Sequence, residues 1–135
     1  AIGTSHGAYK FAGEAKLDFD RLEKIKALLP GYPIVLHGAS SVPQEFVDMA
    51  NQYGAQIAGA KGVPEDLLRK AAASAVCKIN IDTDIRLAMT ATIRKYLAEN
   101  PSHFDPRQYL QVARTAVRDM VAHKIRNVLG SSNKI

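Results

Sequence analysis

Ile34-Val35-Leu36 is apolar on consecutive residues, with Pro33 before it and His37-Gly38 after it. A strand with one wet face alternates apolar and polar side chains, so an unbroken apolar run reads as a strand covered on both faces, as in parallel sheets. Parallel strands need crossover connections, and helical spacing stands on either side of this one. Over residues 18–29 the apolar positions Leu22, Ile25, Leu28 and Leu29 recur at three and four, and Pro30-Gly31 stops the helix. Beyond the strand, Pro43 is suited to a first helical position, Phe46, Val47 and Ala50 supply an apolar stripe, and Gly54 follows as a natural end.

The rest of the chain continues the alternation. Residues 1–6 are small and β-prone and read as a strand ending at His6. Gly59-Ala60-Lys61-Gly62 reads as a loop, residues 64–74 as a helix, and residues 76–81 as a third strand. From Asp84 the positions Ile85, Met89, Ile93 and Leu97 repeat every four residues until Asn100-Pro101. A last helix over 106–129 carries the stripe Leu110, Ala113, Val117, Met120, Val121, Ile125 and Val128, closed by Gly130.

The resulting order is strand, helix, strand, helix, helix, strand, helix, helix, the signature of parallel βα units in an α/β fold. At about 30 residues per unit, 135 residues supply about three units where a closed (β/α)8 barrel needs eight. A free three-stranded sheet, apolar on both faces, would leave long unpaired edges and uncovered faces. The expectation is therefore the C-terminal part of something larger.

Composition narrows the function classes. With 47% hydrophobic and 23% charged residues, disordered and low-complexity chains are excluded. No apolar run approaches the roughly 18 residues of a membrane span, and no basic region precedes an apolar core at the N-terminus, so the expected compartment is the cytoplasm, with no membrane partner. The single cysteine, Cys77, cannot close an internal disulfide or build a cysteine zinc site, and is expected as a small buried hydrophobe. Lys and Arg exceed Asp and Glu by 18 − 13 = 5. The basic residues are scattered without aromatic interleaving, which points to small anions rather than nucleic acid.

Function in parallel βα folds collects where strands end and βα loops begin. Those ends read Ser5-His6-Gly7, Leu36-His37-Gly38-Ala39-Ser40-Ser41 and Asn80-Ile81-Asp82-Thr83-Asp84. Two neighbouring strands thus end in a histidine followed by glycine. Strands about 4.8 Å apart can bring two such imidazoles onto one ion, and a catalytic zinc site would draw its third ligand from outside this chain. A histidine at a strand end also simply bonds loops, so spacing alone leaves both readings open. His103, in a polar loop, and His123, on the last helix, read as surface residues. The small residues Gly7, Gly38, Ala39 and Ser40 let backbone N–H groups approach a phosphate. Asp82, Thr83 and Asp84 open a helix whose N-terminus suits an anion, although the same residues would serve as plain N-caps.

The segments Gly3-Thr4-Ser5-His6-Gly7-Ala8-Tyr9-Lys10, Val35-Leu36-His37-Gly38-Ala39-Ser40 and Asn80-Ile81-Asp82-Thr83-Asp84-Ile85-Arg86 closely resemble class II, zinc-dependent fructose-1,6-bisphosphate aldolases. The resemblance runs the length of the chain, through Gly59-Ala60-Lys61-Gly62-Val63-Pro64, Ala98-Glu99-Asn100-Pro101 and Gly130-Ser131-Ser132-Asn133-Lys134-Ile135. It implies that residues 1–135 are the C-terminal portion of a single TIM (β/α)8 barrel domain, its last three βα units. It also implies a glycolytic and gluconeogenic lyase cleaving fructose 1,6-bisphosphate to dihydroxyacetone phosphate and glyceraldehyde 3-phosphate.

By the same resemblance His6 and His37 would be zinc ligands. Gly7, Lys10, Gly38, Ala39, Ser40, Asp82 and Thr83 would hold the phosphate of the dihydroxyacetone phosphate half. Asn80 would be catalytic, hydrogen-bonding the enediolate, and Arg86 would reach the other phosphate across a subunit interface of a homo-oligomer, a dimer or tetramer. A monovalent cation, sodium or potassium, would sit on backbone oxygens near Gly7, Gly38 and Ser40. The family's third histidine ligand and its proton-moving aspartate have no counterpart in this sequence. With zinc as Lewis acid no Schiff-base lysine is needed, so Lys61 reads as solvated or loop-stabilising. The competing readings are a tagatose-1,6-bisphosphate aldolase and a non-catalytic phosphate-binding fragment.

Overall fold

Two short parallel strands frame the molecule, with helices supplying the crossover between them and the layer that follows. The computed structural model describes residues 1–6 and 16–134. Along the chain run α1 (Phe19–Leu28), β1 (Ile34–Leu36), α2 (Gln44–Gln52), α3 (Glu65–Ala72), β2 (Val76–Ile79), α4 (Thr83–Glu99) and α5 (Pro106–His123), which continues as a π-helical stretch, Lys124–Leu129. Strands β1 and β2 pair in parallel with Ile34 opposite Val76, Val35 opposite Lys78 and Leu36 opposite Ile79. The α/β class and the expected helices are therefore present, with boundaries set by local chemistry. Asp18 caps α1 by accepting from the Arg21 N–H at 2.8 Å, and Asp105 caps α5 by accepting from Arg107 N–H ahead of Pro106. Pro43 and Pro64 sit one residue ahead of α2 and α3, as their N-caps.

Several expectations are corrected. Residues 1–6 form no strand: Thr4 Oγ1 donates to the His37 carbonyl at 3.4 Å, and the Ile2 carbonyl accepts from Asp18 N–H. A side-chain contact of this kind holds the segment against the end of β1 without building a ladder. Strand β1 is not covered on both faces either, since Val35 is 40% exposed. Cys77 is exposed rather than buried, being the extra residue where the register slips between Ile34 and Val35. Finally, α4 buries Asp84, Leu87, Ala88 and Ala91 instead of the four-residue series, of which Met89 and Leu97 lie exposed. Steps of four drift by about 40° around a helix of 3.6 residues per turn, whereas 84, 87, 88 and 91 stay on one face.

The main core gathers Leu22 of α1, Leu36 of β1, Leu68 and Ala71 of α3, Val76 of β2 and Val128. A second cluster, Val42, Val47, Ala60 and Leu87, sits under the loop that follows β1. In α5 the stripe is half right: Ala113, Met120 and Val128 are buried, while Leu110, Val121 and Ile125 are exposed. In α1 only Leu22 is buried, and Leu28 and Leu29 face outward.

Candidate functional site

Because β1 and β2 run parallel, their C-terminal ends lie at the same edge, and that edge brings His37 beside Asn80. Asn80 N–H extends the pairing by donating to the Leu36 carbonyl at 3.0 Å. Its side-chain Nδ2 stands 3.2 Å from His37 Nδ1, while Lys78 Nζ donates to its Oδ1 at 2.6 Å and so fixes which way the amide faces. His6 arrives from the N-terminal segment, its ring centroid 5.7 Å from that of His37 at an interplanar angle of 48°. The approach depends on Gly38, with φ of +64°: a Cβ there would stand 2.6 Å from Thr4 Oγ1 and 2.8 Å from the Ser5 carbonyl oxygen. The glycine after the histidine is thus what lets the second histidine come near.

The loop after β1 turns back onto the start of α4. Ser40, 4% exposed, accepts at Oγ from the N–H groups of Asp82 and Thr83, each at 3.2 Å. Its own hydroxyl proton remains a donor. The Asp82 carboxylate turns away and pairs with Arg86 at 3.0 Å, an exposed i,i+4 pair that adds little stability. A cavity of about 600 Å³ is lined by His6, Gly38, Ala39, Ser40, Asn80, Asp82, Thr83 and Arg86, together with Lys78, Ile79 and Ile81. His37 adjoins it through Asn80. Gly7 and Lys10 lie outside the described residues.

Sequence reasoning missed what supports this loop. Asp84, fully buried, accepts at Oδ1 from Val42 N–H at 2.8 Å, and at Oδ2 from the Ser41 N–H and hydroxyl, each at 3.0 Å. Lys124 Nζ reaches the same carboxylate at 3.1 Å, donates to Ser41 Oγ at 2.6 Å and pairs with Glu65. Asp84 is thus a buried acceptor rather than a cap. The signal for Lys124 was available, since Met120, Lys124 and Val128 share one face of the last helix and the lysine interrupts it. Burial pushes the Glu65 carboxyl up, but Lys124 and His123 together outweigh it and hold the group below its ordinary value. No comparable signal marked Lys78.

His123 is exposed, as expected, with Nε2 2.7 Å from Glu65 Oε2. His103 is half-buried, its Nδ1 2.8 Å from the Tyr96 hydroxyl. Lys61 is exposed. It borders a larger cavity of about 1020 Å³ between α2, the loop before α3 and α5, which holds none of the expected ligands. Volume alone therefore does not choose the site; the convergence of polar groups does. Among the described residues no group of three or more His, Cys, Asp or Glu side chains is arranged to hold a metal ion, so the histidine pair stands as two donors. Among them also, no helix is long and apolar enough to cross a membrane.

Comparison with known proteins shows the family. The family profile described as fructose-bisphosphate aldolase class-II matches residues 1–134. The chain is 49% identical over 146 residues to a fructose-bisphosphate aldolase of Treponema pallidum, covering 99% of this chain and 44% of that protein. It is 49% identical over 128 residues to one of Giardia intestinalis, covering 93% and 39%, and 44% identical over 135 residues to one of Helicobacter pylori, covering 100% and 43%. The chain thus spans less than half the length of these curated relatives. With Ser5-His6, His37-Gly38-Ala39-Ser40 and Asn80-Ile81-Asp82-Thr83 at one edge of a parallel sheet, the chain belongs to the class II fructose-bisphosphate aldolase family.

Proposed function

We propose that this chain is the C-terminal portion of a class II aldolase barrel that cleaves fructose 1,6-bisphosphate to dihydroxyacetone phosphate and glyceraldehyde 3-phosphate in the cytoplasm. The observation that carries the reading is the meeting of His6, Asn80 and the Ser40–Asp82 turn around one cavity, with His37 beside both His6 and Asn80. The half-exposed Val35 on a two-stranded parallel sheet is what a slice of a closed barrel would leave.

Zinc fits the donors present. Two imidazoles with rings 5.7 Å apart match its preference for nitrogen ligands, and would supply two of the three that a catalytic site uses. The third would come from elsewhere in the longer protein. When bound, the metal would supply Lewis-acid polarisation of the substrate ketone. Asn80 Nδ2 donates to His37 Nδ1, a bond the ring would give up to ligate a metal through that nitrogen, and Asn80 would then be available to hydrogen-bond the substrate oxygen on which charge develops. The proton of the C4 hydroxyl, lost as the C3–C4 bond breaks, would pass to a residue of the longer protein.

The phosphate end is built from backbone and hydroxyl. Ser40 has its own proton to donate, Gly38 and Ala39 allow close approach, and the first turn of α4 presents its positive end. Gly7 and Lys10 would complete this end. Arg86, 77% exposed at its side chain, is free to reach a second phosphate on exchanging its surface pair with Asp82, in keeping with a role at a homo-oligomer interface. A monovalent cation would share the Ser40 carbonyl with Val63 N–H, which already donates to it at 3.0 Å.

The test uses the full-length protein that contains this chain. Zinc content and turnover of fructose and tagatose 1,6-bisphosphates are measured in the wild type and in His37→Ala. The expected result is cleavage of the fructose substrate, lost with the metal in the variant. Wild-type zinc content in His37→Ala would falsify the ligand assignment, and a preference for the tagatose substrate would overturn the specificity.

A further inference from the structure

Val42 is β-branched, 1% exposed and at φ of +52°, a left-handed conformation that such residues avoid. Strain of this kind persists only when the surroundings over-determine it, and it clusters beside functional sites. Here both peptide groups of Val42 are held by side chains. Its N–H donates to Asp84 Oδ1 at 2.8 Å, and its carbonyl accepts from Gln44 Nε2 at 3.0 Å, the same amide also donating to the Ala60 carbonyl at 3.0 Å. Asp84 is in turn seated by Lys124 at 3.1 Å and holds Ser41 through both N–H and hydroxyl. Two residues before Val42 stands Ser40, whose Oγ meets the amides of Asp82 and Thr83 at the start of α4.

We propose that Asp84, seated by Lys124, is a positioning residue for the anion end of the site: it holds Val42 in its left-handed conformation and so fixes Ser40 against the N-terminus of α4, with Gln44 securing the other side of the same turn. This rests on the reading of Ser40 and the α4 terminus as the phosphate end. Neither Asp84 nor Lys124 lines the cavity that Ser40 faces, so both act through the turn. A charged carboxylate can accept several N–H and O–H bonds at once, which an amide or an apolar side chain of the same size cannot.

The experiment uses the full-length protein. Asp84→Asn/Lys124→Met removes both buried charges together, so neither is left uncompensated. Calorimetry with inorganic phosphate, KM and kcat on fructose 1,6-bisphosphate, zinc content and the melting temperature are measured side by side. The expected result is a folded variant with wild-type zinc in which the phosphate Kd and KM rise about tenfold, the scale of one or two lost hydrogen bonds, with the loss in KM rather than kcat. Adding Ser40→Ala to that variant should cost nothing further, because both changes act through one contact. Wild-type phosphate affinity in the folded double variant, or fully additive losses with Ser40→Ala, overturns the proposal. If the double variant does not fold, Gln44→Ala decides, since its side chain is exposed: raised phosphate Kd supports the proposal and an unchanged one overturns it. A wild type that binds phosphate but does not cleave the sugar bisphosphate would sink the aldolase reading alone, leaving the positioning role to be judged on phosphate affinity. A wild type that binds no phosphate sinks both.

Discussion

Lys124 Nζ lies 3.1 Å from Asp84 Oδ2 with both side chains buried, at 4% and 0% exposure, joining the end of the last helix to the first turn of α4. The pair stands where the loop after β1 crosses α4, and Ser41 and Val42 are bonded to it. Lys124→Met should therefore leave a buried, unpaired carboxylate and cost about 3–5 kcal/mol. Adding Asp84→Asn should recover most of that loss. Urea unfolding of the full-length protein measures both, and a single variant as stable as the wild type would contradict the account.

Glu65 carries a pH signature from the same cluster. Burial works against its charge, but Lys124 and His123 prevail, so its folded value lies below its ordinary 4.5. A carboxyl depressed in the folded state contributes stability that is fully present above its unfolded value and is lost as pH falls through the folded one. Glu65→Gln should thus be less stable than the wild type at neutral pH, with the gap closing as pH drops below about 4.5. Urea midpoints across that range test it; a gap that widens toward acid would refute the sign.

Most helix termini were legible because they depend on local chemistry: Asp18, Pro64, Pro106 and Gly130 each act within a few residues of themselves. The residues around the cavity were legible for a related reason, since parallel strands ending in His37 and Asn80 must present both at one edge. What failed were inferences about burial. Cys77 and Val35 face outward because the described sheet has two strands and a register slip, neither of which an apolar run discloses. Asp84 and Lys124, 40 residues apart, gave no sign of each other, because the contact that makes each tolerable in a core is entirely tertiary.

Gly38 links the two histidines, and its replacement should separate them. At φ of +64° alanine is strained, and its Cβ would collide with Thr4 Oγ1 and the Ser5 backbone. Gly38→Ala should cost about 1–3 kcal/mol and weaken zinc binding about tenfold or more, as loss of ligand support does. Competition with a chelator reads the second effect; unchanged affinity would mean that His6 is positioned by something other than this contact.

Replacing Gly62 should disturb the Ser40–Ser41 turn and spare the histidines. Its backbone has no left-handed φ, so alanine carries no conformational penalty there, only a lack of room: the Cβ would lie 2.3 Å from Ser41 C and 2.4 Å from the Ser40 and Ser41 carbonyl oxygens. These are backbone atoms and cannot swing aside. The Ser40–Ser41 turn must move off Gly62, straining the Val63 N–H bond to the Ser40 carbonyl and drawing Ser40 Oγ away from α4. Misplacement by about 1 Å can cost on the order of a hundredfold in rate, so kcat/KM of Gly62→Ala should fall roughly 10- to 100-fold. The histidines hang from other backbone, and zinc content should stay at the wild-type level. An equal loss of zinc would mean that the Ser40–Ser41 turn and the two histidines move as one unit, whereas undiminished kcat/KM would mean that the turn absorbs the displacement without moving Ser40.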